Sequence, residues 1–361
     1  MSRVLLACGG TGGHLAPGIA LAQRLTAAGH ECLLVVSRKA VDAHMTAKYP
    51  ALRFVPGRGR GFGPGLLGRL LFFPSFFGAV CSSWLRLRGF RADAVVCFGG
   101  FMSLGPAVAA AVSGVPVVVH EANRRPGKAV RLIARFARAV HLPPGVRIPG
   151  VAEGRQFDSG YPVRDEIRPV ARAEARRTLG LPEDGRLVLV LGGSQGASAL
   201  TRWAASAAPG LAGEGAHLLC LTGPAGREGE ERHAGRTLRF LPFCDRMAEA
   251  YSAADVAVSR AGAGTLAELA ACRTPSVLVP LPGAADDHQT ANAAHLAGAG
   301  GAVSVPESSL GGLTEEVRGL LRDEARLARM REALASVAAS NRWDELRLHV
   351  EACAKGGVPV P

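Results

Sequence analysis

Two apolar patterns alternate along this chain. Uninterrupted runs at Val4–Cys8, Cys32–Val36, Ala94–Phe98, Val115–Val119 and Ala139–Leu142 carry the signature of strands buried on both faces. Between them Ala16–Ala28, Leu104–Ser113 and Lys128–Ala137 repeat apolar residues at helical spacing. The second half follows the same plan, with strands predicted at Leu187–Leu191, His217–Thr222, Arg239–Leu241, Val256–Ser259 and Ser276–Pro280 and helices between them. Such alternation predicts α/β architecture with doubly wound parallel sheets. A polar, proline-bearing stretch near Gly160–Arg172 divides the halves, and a charged helical tail from about Leu320 to Val350 packs last.

A length of 361 residues suits two domains, and 48% apolar against 20% charged residues supplies their cores. The eight cysteines form no CxxC pair or metal-like cluster, the usage expected of a reduced, cytosolic protein. The N-terminal apolar run is too short for a signal peptide. Leu70–Leu85 is short for a membrane span and contains Pro74 and Gly78. Ala94–His120 is long enough, but its glycines and prolines divide it into strand, loop, helix and strand. The net charge of +12 is unevenly placed: residues 1–163 hold 20 Lys and Arg against 6 Asp and Glu, and residues 164–361 hold 22 against 24. The first half therefore calls for an anionic partner. Its aromatic residues cluster in one hydrophobic stretch and do not interleave with basic ones, which argues against nucleic acid and for an anionic membrane surface.

The chemistry concentrates where strands run into glycines. Arg3–Ala7 leads through Cys8 into Gly9-Gly10-Thr11-Gly12-Gly13-His14, and Arg186–Leu191 leads into Gly192-Gly193-Ser194-Gln195-Gly196. Free backbone N–H groups ahead of a helix N-terminus form an anion cradle. The dinucleotide pattern G-x-G-x-x-G fails, because its third glycine falls on Leu15, and no acidic residue ends the second strand. A Walker A sequence is absent. In the second half Val256–Ser259 runs into Arg260-Ala261-Gly262-Ala263-Gly264-Thr265-Leu266-Ala267-Glu268, a third glycine loop opening a helix. Glu268 is placed to accept a ribose diol, or equally to complement the helix dipole. The polar segment 282–292 brings Gln289 and Asn292 onto one helix face, and Asp286-Asp287 reads as an N-cap pair or a weak metal site. No D-x-D triplet occurs, so a nucleotide-sugar enzyme of this design neutralises diphosphate with loop amides, helix dipoles and arginine.

Taken together, GGTGGHLAPGIALAQRL, residues 97–123, GYPVR (160–164), GGSQGA (192–197), RAGAGTLAEL (260–269) and DDHQTANA (286–293) closely resemble the MurG family of bacterial glycosyltransferases, in family order and over nearly the whole chain. The resemblance implies a GT-B fold: two Rossmann-like domains facing a cleft, residues 1–163 with the C-terminal helix near 341–355, and residues 164–340. It implies inverting transfer of N-acetylglucosamine from UDP-GlcNAc to lipid I, giving lipid II, with no metal or other cofactor. The family's donor contacts map onto Thr11, Gly12, Gly13, Asn123, Arg164, Ser194 and Gln289, onto Ala263, Gly264, Thr265, Leu266, Ala267 and Glu268, and onto Cys244 beside uracil. Two departures stand out: Ala122 and Arg124-Arg125 in the loop after His120, and Tyr161 where asparagine is usual.

His14 is the first candidate for the base that takes the acceptor proton, and Glu121 the second, with loop anchoring as its alternative role. Arg58–Phe62 begins an acceptor-side loop, and the following Leu66, Leu67, Leu70, Leu71, Phe72, Phe73, Phe76 and Phe77, bounded by Arg69, Arg86 and Arg88, suit peripheral docking on the cytoplasmic membrane face. Cell-wall synthesis proteins are further candidate partners. A UDP-GlcNAc 2-epimerase, another glycolipid synthase and a non-enzymatic nucleotide-sugar binder are the competing readings.

Overall fold

The computed structural model describes residues 1–9, 12–37, 40–57, 65–193 and 196–357, the side chains of 40, 41 and 65–72 excepted. They form two compact units, Met1–Arg164 joined by Asn341–Pro361, and Asp165–Ser340.

The first unit runs β1 (Arg3–Ala7), α1 (Gly12–Ala27), β2 (Glu31–Val36), α2 (Ala40–Ala47), β3 (Arg53–Pro56), α3 (Gly65–Phe90), β4 (Ala94–Cys97), α4 (Leu104–Val112), β5 (Val117–His120), α5 (Lys128–Ala134), β6 (Ala139–Leu142) and β7 (Gln156–Asp158). Its sheet is parallel, in the order β3-β2-β1-β4-β5-β6-β7. Alternate residues of each strand feed two cores. Leu5, Ala7, Val95, Cys97, Val117 and Val119 face one helical layer with Leu104, Ala107 and Ile133. Val4, Leu6, Val96 and Val118 face the other, with Leu15 and Ile19.

The second unit runs α6 (Arg172–Thr178), β8 (Arg186–Leu191), α7 (Ser198–Gly213), β9 (Ala216–Leu221), β10 (Gly229–His233), β11 (Arg236–Leu241), α8 (Met247–Ala253), β12 (Val256–Ser259), α9 (Ala263–Ala271), β13 (Ser276–Leu278), α10 (His288–Gly298), β14 (Ala302–Ser304), α11 (Leu313–Arg322) and α12 (Glu324–Ala339). Its sheet order is β10-β11-β9-β8-β12-β13-β14. Omitting β10 here and the edge strand β7 there, the two units share one strand order. In both sheets the order reverses beside the first strand, between β1 and β4 and between β8 and β12. Ligands of doubly wound sheets bind outside the carboxyl ends of the strands at that switch point.

Several elements differ from expectation. β10 is antiparallel to β11, joined through Ala234 and Gly235, both with positive φ, as a two-residue hairpin requires. Its sequence, GEERH, is charged because the strand closes a sheet edge. The short edge strands β3, β7 and β14 lack the long apolar runs of the centre. α1 starts at Gly12, four residues earlier than the apolar spacing suggests. Among the described residues no helix is long and apolar enough to cross a membrane.

The C-terminal helix α13 (Asp344–Ala354) returns to the first unit, burying Leu346, Val350 and Cys353 beside β1 and α1. Its buried His349 meets buried His141 of β6, Nδ1 to Nε2 at 3.2 Å, with Phe157 against both rings. Burial first, and the neighbouring His349, hold His141 well below the usual histidine range. His120 at the end of β5, also buried, donates from Nε2 to the Gly160 carbonyl at 3.0 Å, and burial pushes its pKa down to about 4. The rings of His120 and His141 fold neutral. Below pH 6.5 the unfolded chain binds protons that the folded unit refuses, so stability falls as pH drops toward 4, by about 3 kcal/mol for His120 when fully titrated. Thermal unfolding between pH 7 and 4 should show this decline, and His120→Gln should flatten it; an equal acid slope in the variant would assign the loss to other groups.

Candidate functional site

In the first unit the ends of β1, β4 and β5 supply the candidate groups. Thr11 lies outside the described residues, as does the Arg58–Phe62 loop. Gly12 and Gly13 open α1, and His14 follows in its first turn, half-buried. The His14 ring packs on the backbone after β4: a Cβ on Gly100 would lie 3.2 Å from its Cε1, and one on Gly99 3.4 Å from its Nε2. Gly99 and Gly100 also have φ of +87° and +69°, the left-handed region that favours glycine.

Glu121 is 5% exposed and fully occupied by its own loop. Its Oε1 accepts from the backbone N–H and the Nδ2 of Asn123, both at 2.9 Å, and its Oε2 from the N–H of Gly127 at 2.9 Å. Burial raises its pKa, against the pull of these bonds. The carboxylate thus anchors the loop and orients Asn123, the alternative role that the sequence left open. Arg164 is buried, donating from Nη1 to the Tyr49 hydroxyl at 3.1 Å, and belongs to the first unit, one residue beyond the expected boundary.

In the second unit the ends of β8, β12 and β13 converge. Ser194 lies outside the described residues. The loop around it depends on its glycines: Gly193 and Gly196 both have φ +76°, and the Thr222 carbonyl lies where a Gly196 Cβ would be. Gly262 caps α9 without a side-chain bond, so Ala263, Gly264 and Thr265 present N–H groups that lack intrahelical acceptors. One turn on, Leu266 and Glu268 are buried, with Ala267 between them. The Glu268 Oε2 accepts from the Tyr251 hydroxyl at 2.9 Å.

Gln289 and Asn292, one turn apart on α10, grip the peptide of Ala261. Gln289 Oε1 accepts from the N–H of Ala261 at 3.1 Å and of Leu281 at 3.0 Å, and Asn292 Nδ2 donates to the Ala261 carbonyl at 3.1 Å. With its oxygen so occupied, Gln289 offers a ligand only its amide N–H groups. Asp287 stands at the N-cap of α10, but its carboxylate accepts from the Thr290 hydroxyl at 2.6 Å and caps no backbone N–H, contrary to the expected N-cap pair. No group that could hold a metal ion occurs among the described residues. Cys244 is buried after β11.

The pattern gave no role to two residues. Tyr251 orients Glu268, and buried Arg260 bonds the Val279 and Pro280 carbonyls at 3.2 and 3.3 Å and pairs with Glu307, tying three loops together. An arginine at the end of a fully buried strand was the available signal for the second.

Two doubly wound units with glycine loops at both switch points, and no dinucleotide fingerprint, have the architecture of GT-B glycosyltransferases. Residues 4–142 match the glycosyltransferase family 28 N-terminal domain and residues 187–344 its C-terminal domain. The UDP-N-acetylglucosamine--N-acetylmuramyl-(pentapeptide) pyrophosphoryl-undecaprenol N-acetylglucosamine transferase of Opitutus terrae is 46% identical over 350 residues, 94% of this chain and 92% of that protein. The transferase of the same name from Methylococcus capsulatus is 38% identical over 97% of this chain and 98% of that one. The crystal structure of Acinetobacter baumannii MurG aligns with a TM-score of 0.69 at 25% identity, covering 97% and 99% of the two chains. A kitacinnamycin glycotransferase, at 16% identity and TM-score 0.69, shares the fold. The chain belongs to glycosyltransferase family 28, in its MurG group.

The Ala261 clamp is directly testable. Gln289→Ala strips two backbone N–H groups of their acceptor and should cost the second unit about 1–2 kcal/mol while weakening UDP binding. Denaturant unfolding and calorimetric titration with UDP measure the two effects; unchanged values would show that the clamp carries neither.

Proposed function

We infer that the protein transfers N-acetylglucosamine from UDP-GlcNAc to undecaprenyl-pyrophosphoryl-N-acetylmuramoyl-pentapeptide, converting lipid I to lipid II in peptidoglycan synthesis. The observation that carries this reading is the 46% identity to a transferase of that name over 94% of the chain, with the glycine loops of both halves in place. The second unit holds the donor: Glu268 takes the ribose, the backbone near Cys244 takes uracil, and the amides of Ala263–Thr265 face the phosphates. The first unit meets the acceptor.

The acceptor hydroxyl attacks the anomeric carbon opposite UDP. The bond from that carbon to the β-phosphate oxygen breaks as the new glycosidic bond forms, through an oxocarbenium-like transition state. Negative charge grows on the departing diphosphate. Ser194, the loop amides of 193–196, the N-terminus of α9 and Arg164 stabilise it, and no metal is required. The hydroxyl proton passes to the His14 imidazole. Glu121, whose oxygens are engaged by Asn123 and Gly127, serves as the loop anchor.

The first unit also docks on the cytoplasmic membrane face. On α3 one side packs into the core through Phe76, Ala79, Val80, Ser83, Trp84 and Leu87. The other exposes Phe73 (67%), Phe77 (70%) and Leu85 (64%), with Arg88 over Trp84 at the far end. Apolar side chains on a basic domain suit an anionic lipid surface.

Labelled UDP-GlcNAc with a lipid I analogue should yield lipid II, with turnover retained in EDTA. His14→Ala should lower it at least about a hundredfold at saturating donor, and near-normal turnover would remove His14 as the base. Release of a C2-epimerised UDP-sugar without transfer would identify an epimerase instead. In liposome flotation the protein should prefer anionic vesicles, and Phe73→Ser with Phe77→Ser should weaken the association; equal recovery with neutral lipid would argue against this surface.

A further inference from the structure

In an α-helix the carbonyl of residue 13 accepts from the N–H of residue 17. Here residue 17 is Pro17, inside α1, and it has no N–H to give. The Gly13 carbonyl therefore lacks its helical donor one residue before His14. The first turn is loose for a second reason: Gly12 and Gly13 restrict the backbone less than any other residue would. The hydrogen bond missing from this turn is replaced from elsewhere in the first unit. The Tyr161 hydroxyl donates to the Gly13 carbonyl at 3.4 Å. That distance is long for a hydroxyl donor, as bonds at catalytic loops commonly are before substrate tightens them.

Tyr161 is itself held on several sides. It is 8% exposed, and its ring stands edge-on to that of His120, centroids 6.3 Å apart. Its carbonyl accepts from Asn341 Nδ2 at 2.9 Å, and the preceding carbonyl, of Gly160, accepts from His120 Nε2. Asn341 Oδ1 occupies the position that a Cβ on residue 160 would take, so any larger residue there would displace the Asn341 amide. Asn341 is where the chain re-enters the first unit, and Arg164, three residues after Tyr161, is where it leaves. The hydroxyl that reaches α1 is thus mounted on the point where both chain crossings are pinned together.

We propose that Tyr161 is a positioning residue for transfer: its hydroxyl replaces the hydrogen bond that Pro17 removes and holds the first turn of α1, and with it the His14 ring, in the orientation that accepts the proton. The proposal rests on the reading of His14 as the base.

The test is a double-mutant cycle read by steady-state transfer to a lipid I analogue. Tyr161→Phe keeps the ring and removes only the hydroxyl; kcat should fall about fivefold, the worth of one hydrogen bond, with KM for UDP-GlcNAc unchanged. Pro17→Ala restores an N–H for the Gly13 carbonyl, so adding Tyr161→Phe to that background should change kcat less than twofold. Wild-type kcat in Tyr161→Phe, or the same fall in both backgrounds, would overturn the proposal. Should Pro17→Ala not fold, hydrogen exchange decides: the amides of Leu15 and Ala16 should exchange faster in Tyr161→Phe than in wild type, and equal rates would overturn it. His14→Ala separates the two readings. Full turnover there removes the base assignment, whereas an inactive His14→Ala beside an unaffected Tyr161→Phe removes only the role of Tyr161.

Discussion

Everything functional in this protein follows from how a parallel strand hands over to a helix. A parallel sheet sends every strand the same way, so all strand-to-helix turns gather along one edge. Each turn must reverse the chain within a few residues while leaving its N–H groups unpaired ahead of the helix. Side chains obstruct that path. At Gly196 the Thr222 carbonyl stands where a Cβ would be, and at Gly100 a positive φ adds to the close approach of the Gly9 carbonyl and the His14 ring. The glycines are steric conditions for the turn, and the anion-binding character of the edge comes with them.

A turn this open needs external support, and the site's polar side chains provide it. Gln289 and Asn292 hold both ends of the Ala261 peptide, Arg260 joins the loops after β12, β13 and β14, and Tyr251 fixes Glu268. One end of each group is committed to the scaffold, which pre-organises whatever faces the ligand. The same logic makes Glu121 an anchor. A general base needs an accessible lone pair that can take a proton without dismantling its surroundings. Protonating Glu121 would weaken the bonds that hold Asn123 and Gly127.

The central strands were readable because strands covered on both faces must be apolar throughout, and Val4–Cys8, Ala94–Phe98 and Leu187–Leu191 contain nothing else. Edge strands meet different conditions: β10 is charged to keep its open edge from pairing, so its residues resemble a loop. The start of α1 was hidden because Gly12, Gly13 and Pro17 have poor helix propensity; packing of Leu15 and Ile19 overrides it. In the site, motif residues were legible and their partners were not. Glu268 and Gln289 stand in recognisable runs, but Tyr251 lies 17 residues before the first and Ala261 28 before the second, and no local pattern announces those pairs. Glu121 was assigned two roles because spacing cannot tell an anchored carboxylate from a reactive one; only its hydrogen bonds can.

The two units share a strand order but differ in what their charges do. In residues 164–361 basic and acidic side chains nearly balance, and many meet inside the unit. Asp255, fully buried, receives Arg172, Arg176 and Arg186, while Glu214 takes Arg318 and Arg322. Residues 1–163 carry 20 basic groups against 6 acidic ones, so internal pairing cannot neutralise them whatever their geometry. Among the buried contacts of the first unit are two made without an ion pair, the His141–His349 contact and the His120–Gly160 bond. A frame used twice thus serves two ends: where charge is balanced it builds the scaffold of a site, and where it is not, a field remains that favours an anionic partner.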